Sequence, residues 1–134
     1  MARVLKERDR ATKKLDADSV HDLRVALRRC RTMADALATV DPEKSLRAVK
    51  KASKPAFRSL GKLRDVQVMR EWIKKLAPPG DPLAARLLES LAQSEGAAKA
   101  EAAVALKEFD TRKWRRWSRE LAERARPAPA AQGS

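Results

Sequence analysis

The side chains best suited to bind an anion lie in one short segment near the N-terminus, residues 20–31 (VHDLRVALRRCR). Three- and four-residue spacing places four hydrogen-bond donors on one helical face: His21, Arg24, Arg28 and Arg31. Like charges on successive turns repel one another, and only Asp22 and Asp35 stand near enough in sequence to offset them. The row therefore predicts a site for a polyanion, held by charge-assisted hydrogen bonds.

An apolar row runs beside the basic one and defines the buried side of the same helix: Val20, Leu23, Leu27, Cys30, Ala34 and Leu37. The basic row follows it by one position, so it lies about 100° around the helix, at the border of the core. Arg29 points partly away from the row but belongs to the same basic cluster. Cys30 is the one cysteine of the chain, and we expect a small buried hydrophobic residue there rather than a reactive thiol.

A second basic row follows in the next predicted helix, within a segment (43–77) that holds eleven basic residues against three acidic ones. Its members again recur every three or four residues and end in a carboxylate: Lys51, Lys54, Arg58, Lys62 and Asp65. If the two helices pack antiparallel, the two rows border a common groove. Arginine offers phosphate a planar fork and lysine a mobile point charge, so such a groove binds a polyanion without reading a sequence.

Helical periodicity and its interruptions predict the elements that position these rows. Glycine is scarce, tyrosine is absent, and no segment alternates with a two-residue period, which argues against a sheet. The predicted helices cover residues 2–15, 19–39, 42–76, 82–107 and 111–124. They make an all-α protein, a single antiparallel bundle of four long helices plus a short C-terminal helix.

The helix starts rest on capping residues, whose side chains accept the free amide hydrogens of a first turn. The expected caps are Asp18 or Ser19 for the second helix, Asp41 with Pro42 for the third, and Asp81 with Pro82 for the fourth. Pro55 is expected to kink the third helix, because proline removes a backbone donor.

Apolar spacing assigns the buried faces of the later helices. In the third helix the predicted buried side is Leu46, Val49, Phe57, Leu60, Val68 and Trp72. In the fourth it is Leu83, Leu87, Leu88, Leu91 and Leu106. In the last helix Trp114, Trp117 and Leu121 form a stripe among basic residues, for which a core position is favoured over base stacking, and which also suits a dimer contact or an anionic membrane.

Length and composition predict one domain and an anionic partner. The 134 residues are 43% hydrophobic, enough for a single core at residues 1–126, with a flexible tail at 127–134. The formal net charge of +13 implies a strong positive field. No apolar run approaches the ~18 residues of a membrane span, and no signal peptide is recognisable at the N-terminus, so we expect a cytoplasmic protein.

Two segments in order resemble one known family, the CHAD domain, or conserved histidine α-helical domain. HDLRVALRR at residues 21–29 resembles the characteristic helix of that family, and LGKLRDVQV at 60–68 resembles its LGxxRDxxV segment, within a helical framework at about 18–125. The resemblance implies a helical domain that binds inorganic polyphosphate in a basic channel, often at polyphosphate granules or fused to triphosphate-processing domains. It suggests binding rather than catalysis, without a cofactor.

The resemblance also implies which residues contact the ligand. The expected polyphosphate-binding residues are His21, Arg24, Arg28, Arg29, Arg31, Lys51, Lys54, Arg58, Lys62 and Arg64, with Arg64 divided between the ligand and a salt bridge. Asp65 is expected to pair with one of the motif arginines. A nearby phosphate would favour the charged imidazolium of His21, so affinity should rise as pH falls.

One departure from the family concerns length. Family domains contain two similar helical bundles with the channel between them, whereas this chain has length for one bundle, half of a CHAD-like fold. A homodimer would restore the missing wall, since a two-fold axis places the same basic rows opposite each other.

The alternative function is nonspecific binding of nucleic acid, which a charge of +13 would also attract. A phosphohydrolase or polyphosphate kinase is disfavoured, because neither a Walker loop nor a carboxylate cluster for metal ions is present in the sequence. No metal site is expected.

Overall fold

A computed structural model describes residues 2–40 and 44–125 of the chain. Within these ranges the protein is built from helices without a strand: α1 (Ala2–Lys13), α2 (Ala17–Val40), α3 (Lys44–Leu76), α4 (Pro82–Glu108) and α5 (Thr111–Ala125). The predicted all-α bundle is therefore confirmed. The predicted cap at Asp41 and Pro42 and the predicted tail at 127–134 lie outside the described residues.

The helix starts follow from local side-chain caps, and one of them differs from the prediction. Asp16, rather than Asp18 or Ser19, caps α2, because its Oδ1 accepts the Ser19 amide hydrogen at 2.8 Å. The Ser19 hydroxyl is not free to cap, since it donates to the Lys14 carbonyl at the end of α1. The same contact with the Ser19 amide holds the pKa of Asp16 below its ordinary value.

The turn between α3 and α4 is set by its residue types. Asp81 N–H donates to the Pro78 carbonyl at 3.2 Å, and Gly80 between them adopts a positive φ of 79°, which a side chain would strain. Asp81 then caps α4 as predicted, accepting from the Leu83 amide at 3.0 Å, with Pro82 at the first helical position. α3 continues through Pro55 without a break in its helical assignment.

All five helices contribute to one core. Its fully buried side chains include Val4 of α1, Leu23 and Leu27 of α2, Leu60 and Leu63 of α3, Leu106 of α4 and Trp114 of α5. Trp114 is 0% exposed, its ring lies 5.0 Å from that of Phe109, and Trp117 packs partly buried against the same cluster. The core assignment of this tryptophan pair is therefore confirmed, whereas the side chain of Leu121 lies outside the described set.

The predicted buried faces fail at the far end of the α3–α4 hairpin. Trp72, Leu83 and Leu87 are 60%, 64% and 45% exposed rather than buried. The reason lies in the α1–α2 turn, where the Leu15 carbonyl accepts a hydrogen bond from Gln67. From that level α1 and α2 run away from the tip of the hairpin, so neither of these two helices covers the last turns of α3.

Candidate anion-binding site

α2 and α3 pack antiparallel, which brings their basic rows to one seam. From the start of α2 onward, Ala17 meets Arg64, Arg24 meets Phe57, and Arg31 meets Ser53. At the far end Asp35 pairs with Lys50. The residue numbers of the partners on α3 thus decrease as those on α2 increase. This order confirms the antiparallel arrangement that a shared groove requires.

Phe57 lies between two arginines of the N-terminal motif. The guanidinium carbons of Arg24 and Arg31 stand 5.1 and 5.3 Å from the centroid of its ring. Both distances fall within the range in which the ring quadrupole attracts a cation. The phenyl ring therefore holds two like charges at one place, which their mutual repulsion opposes.

Further contacts fix these two guanidinium groups in the seam. Arg31 Nη1 donates to the Lys50 carbonyl at 3.0 Å and to the Ser53 hydroxyl at 3.1 Å. Arg24 lies beside Gly61, where an added Cβ would come within 3.8 Å of its Nη2, an ordinary van der Waals contact. The buried Nε of Arg24 has no hydrogen-bond partner within the described residues. Arg24 thus keeps a donor for which this part of the protein supplies no acceptor.

Both helices carry further exposed cations besides the two arginines that contact Phe57. Arg28 and His21 lie on the same face of α2 as Arg24 and Arg31, and both are exposed. On α3, Lys54 and Arg58 flank Phe57 in sequence and are also exposed. We call this set the basic seam: His21, Arg24, Arg28 and Arg31 of α2 with Lys54 and Arg58 of α3. Of these, Arg24 and Arg31 contact Phe57.

The carboxylates of α2 do not neutralise the basic seam. Asp22 accepts a hydrogen bond from Arg10 of α1 at 2.6 Å, and Asp35 pairs with Lys50 at 2.9 Å. The hydrogen bond to Asp22 raises the pKa of Arg10. Within residues 2–40 and 44–125, no arginine or lysine of the basic seam forms an ion pair with a carboxylate. The seam keeps its charge for an external anion.

Two predicted ligand residues of α3 lie outside the seam. Lys62 Nζ stands 3.7 Å from Glu101 Oε2 of α4. Lys51 lines a surface cavity of about 420 Å³ together with Glu108 and Lys113, at the α4–α5 end of the bundle. A row spaced by three and four residues spreads about 80° around a helix from Lys54 to Lys62, enough to reach from the α2 side to the α4 side.

The remaining predictions concern Arg29, Arg64 and Asp65. Arg29 is exposed but lies about 100° beyond Arg28, on the side of α2 away from α3. Arg64 Nη1 lies 3.5 Å from the Ala17 carbonyl, a long contact that ties α3 to the start of α2. Asp65 is exposed and forms no ion pair within the described residues, so the expected salt bridge with a motif arginine is not formed here.

Phe57 is a residue of the candidate site that the sequence patterns did not indicate. Its place in the apolar pattern assigns it to the core, whereas the structure leaves it partly exposed beneath two guanidinium groups. The sequence does carry a signal for it. Phe57 lies between Lys54 and Arg58 in the third helix, and antiparallel packing brings this position opposite the basic motif of α2.

Neither a metal centre nor a membrane span is found in the part of the chain that the structure describes. No group of three or more His, Cys, Asp and Glu side chains there has the geometry to hold a metal ion. The helices of these residues also include none with the length and apolar character needed to cross a bilayer.

The fold and the site together define a helical bundle with a basic seam between two antiparallel helices. Comparison with known protein families gives a match to the CHAD domain over residues 1–134. The chain belongs to the CHAD domain family. Searches of curated proteins and of solved structures give no match.

Proposed function

We propose that this protein binds inorganic polyphosphate along the basic seam between α2 and α3. The observation that carries the proposal is the pair of guanidinium groups, Arg24 and Arg31, that Phe57 holds on the α2–α3 seam without an ion pair among the described residues. Membership of the CHAD domain family supports this ligand, because polyphosphate binding is known for that family generally.

The two kinds of cation in the basic seam have different tasks in this proposal. Arg24 and Arg31 are already ordered by Phe57 and Ser53, so they lose little conformational freedom when they donate to phosphate oxygens. Arg28, Lys54 and Arg58 are exposed and reach the chain from either side. Contacts to phosphate alone carry no sequence information, so affinity follows charge density and length.

The proposal assigns binding and no catalysis to this chain. The residues of the basic seam are donors, and they include no carboxylate that would activate water or carry a metal ion. The purified protein should release no orthophosphate from polyphosphate in the presence of Mg²⁺. Release at a rate that depends on Arg28 would overturn this assignment and make the protein a hydrolase.

Partners and location follow from the same proposal. A second copy of the chain would supply a facing basic seam and so enclose the polymer on two sides. We propose a cytoplasmic location at polyphosphate granules, among their proteins, and the family resemblance supports this proposal.

The test is a titration of polyphosphates of graded length at several salt concentrations. The slope of log K against log salt counts the counterions released, so it should rise with length and then level off once the seam is filled. Arg28→Ala should weaken binding several-fold, whereas Arg29→Ala removes the same charge from an equally exposed neighbour outside the seam and should have a smaller effect. Equal losses of affinity in both variants would show that binding depends on net charge and not on the position of Arg28 in the seam.

Competition with DNA separates this proposal from nucleic-acid binding. At equal phosphate concentration, polyphosphate should displace a DNA duplex, because a seam between two packed helices suits a thin single chain better than a wide duplex. Displacement of polyphosphate by DNA would make the protein a nonspecific nucleic-acid binder.

A further inference from the structure

The largest exposed apolar surface among the described residues lies at the tip of the α3–α4 hairpin. Its side chains expose between 45% and 71% of their area: Met69, Trp72, Leu76, Leu83 and Leu87. They line a groove of about 360 Å³ between the two helices. We call this surface the apolar tip. An exposed apolar groove on a highly charged protein marks an interaction surface.

The apolar tip continues the exposed basic face of α3. Lys54, Arg58 and Asp65 are followed at three- and four-residue intervals by Met69, Trp72 and Leu76. One exposed face of a single helix is therefore cationic in its first half and apolar in its second half. Asp65 stands at the border between the halves.

The balance of charged residues near the apolar tip indicates which kind of partner the tip fits. Residues 71–89 carry three basic side chains and three acidic ones: Lys74, Lys75, Arg86, Glu71, Asp81 and Glu89. This balance contrasts with the +13 of the whole chain. An anionic lipid surface or a polyanion gains no electrostatic attraction from a segment of balanced charge, whereas a second copy, repelled elsewhere by its own charge, is not repelled there.

We propose that two copies of the chain pair through their apolar tips, with the two α3 helices side by side and pointing the same way. This arrangement covers apolar surface with apolar surface at one end of α3 and turns the basic halves toward each other at the other end. The facing basic halves rest on the proposed function, since a polyanion is needed between two cationic surfaces. Polyphosphate bound between these surfaces stabilises the dimer, and dimerisation in turn tightens polyphosphate binding.

The interface is tested by sedimentation velocity across a concentration series, with and without polyphosphate. The wild type should dimerise, and polyphosphate should lower the concentration at which it does so. Trp72→Glu and Leu76→Glu should both remain monomeric, and far-UV circular dichroism should show that they keep the fold. Val104→Glu is the matched control, because Val104 is 55% exposed on α4 outside the groove and receives the same charge.

The orientation is tested by spin-label distances in the dimer, in a chain whose buried Cys30 is replaced by Ala. Labels at Lys75→Cys report on the apolar tip, and labels at Arg47→Cys report on the cationic end of α3. The proposal predicts one short intermolecular distance at each position. Antiparallel α3 helices crossing at Trp72 would separate the Arg47 labels by about 75 Å, from the 1.5 Å rise per residue, and that result would overturn the orientation.

Failure of this interface and failure of the proposed function give different results. A wild type that stays monomeric at every concentration, with and without polyphosphate, overturns the interface even if polyphosphate binds. If the wild type dimerises, Trp72→Glu does not, and the wild type binds no polyphosphate, the interface is supported and the proposed function is overturned. Flotation of the wild type with anionic phosphatidylserine vesicles, abolished by Trp72→Glu, would make the apolar tip a membrane contact and overturn the pairing.

Discussion

Arg24 of α2 and Phe57 of α3 lie face to face across the helix seam, with the guanidinium carbon 5.1 Å from the ring centroid. A carboxylate would position this guanidinium equally well but would cancel its charge. An aromatic ring attracts the cation and leaves its charge in place for a ligand. The basic seam is thereby ordered before an anion arrives.

Replacement of Phe57 by Leu tests this role. Leucine keeps apolar volume but lacks the ring quadrupole, so both guanidinium contacts are lost. We expect polyphosphate affinity to fall about 5- to 30-fold, because two cation–π contributions of roughly 0.5–1 kcal/mol each are lost. The salt slope should change little, because no charge is removed. The measurement is a binding isotherm at two salt concentrations.

Phe57→Tyr is the control for this variant, since it keeps the ring and should retain wild-type affinity within about 2-fold. Equal losses in Phe57→Leu and Phe57→Tyr would show that ring shape matters and the quadrupole does not.

Arg31 and Arg28 should separate stability from binding. Arg31 donates to the Lys50 carbonyl and the Ser53 hydroxyl, so Arg31→Ala should lower the free energy of unfolding by about 1–2 kcal/mol. Arg28 is exposed and makes no such contact with residues 2–40 or 44–125, so Arg28→Ala should stay within about 0.5 kcal/mol of the wild type. Both should weaken polyphosphate binding. Urea denaturation and the binding titration together check this, and equal stability of the two variants would contradict it.

The helices are predictable from the sequence because their ends are encoded locally. Asp81 and Pro82 start α4 as predicted, and the bounds of the helices agree with the prediction within a few residues. The predicted cap of α2 is wrong because Asp16, Asp18 and Ser19 are all good capping residues. Only the contact of Ser19 with α1, which depends on tertiary structure, decides among them.

The surfaces are less predictable than the helices. Helical spacing shows which residues share a face, but it does not show whether another element covers that face. Spacing predicts a buried Trp72, yet this side chain is exposed because α2 begins level with Arg64 and does not reach the tip. Lys51 and Lys62 share the spacing of Lys54, yet they face α4 and α5 because the row is wider than the seam.

His21 should make the affinity depend on pH. It is exposed on the same face of α2 as Arg28, so a protonated imidazolium adds one cation beside the polymer. We expect affinity to be about 2- to 5-fold higher at roughly pH 5.5 than at roughly pH 8, because a phosphate beside the ring favours the imidazolium. In His21→Ala this rise should disappear. A pH dependence identical in the two proteins would place His21 outside the contact.

The ion pair of Glu95 and Arg70 should govern acid stability. Glu95 of α4 is 8% exposed, accepts a hydrogen bond from Arg70 of α3, and lies 3.4 Å from Lys99. Burial raises the pKa of Glu95, but the contacts with Arg70 and Lys99 outweigh burial and hold it below the ordinary value of 4.5. The stabilisation is therefore fully present above about pH 4.5 and is lost as pH falls through the lowered pKa of the folded state.

Two variants isolate this pair. Arg70→Met leaves the buried carboxylate with Lys99 alone, and it should destabilise the fold by about 2 kcal/mol at pH 7, less than a fully buried pair because the Arg70 side chain is 30% exposed. Glu95→Gln should flatten the decline of unfolding free energy below about pH 4.5. Glu101→Gln is the matched control, since the Glu101 side chain is 59% exposed and its pair with Lys62 is loose at 3.7 Å. The measurement is the free energy of unfolding by urea at pH 3 to 7. If Glu95→Gln leaves its dependence on pH unchanged, other carboxylates cause the acid sensitivity of α3–α4 packing.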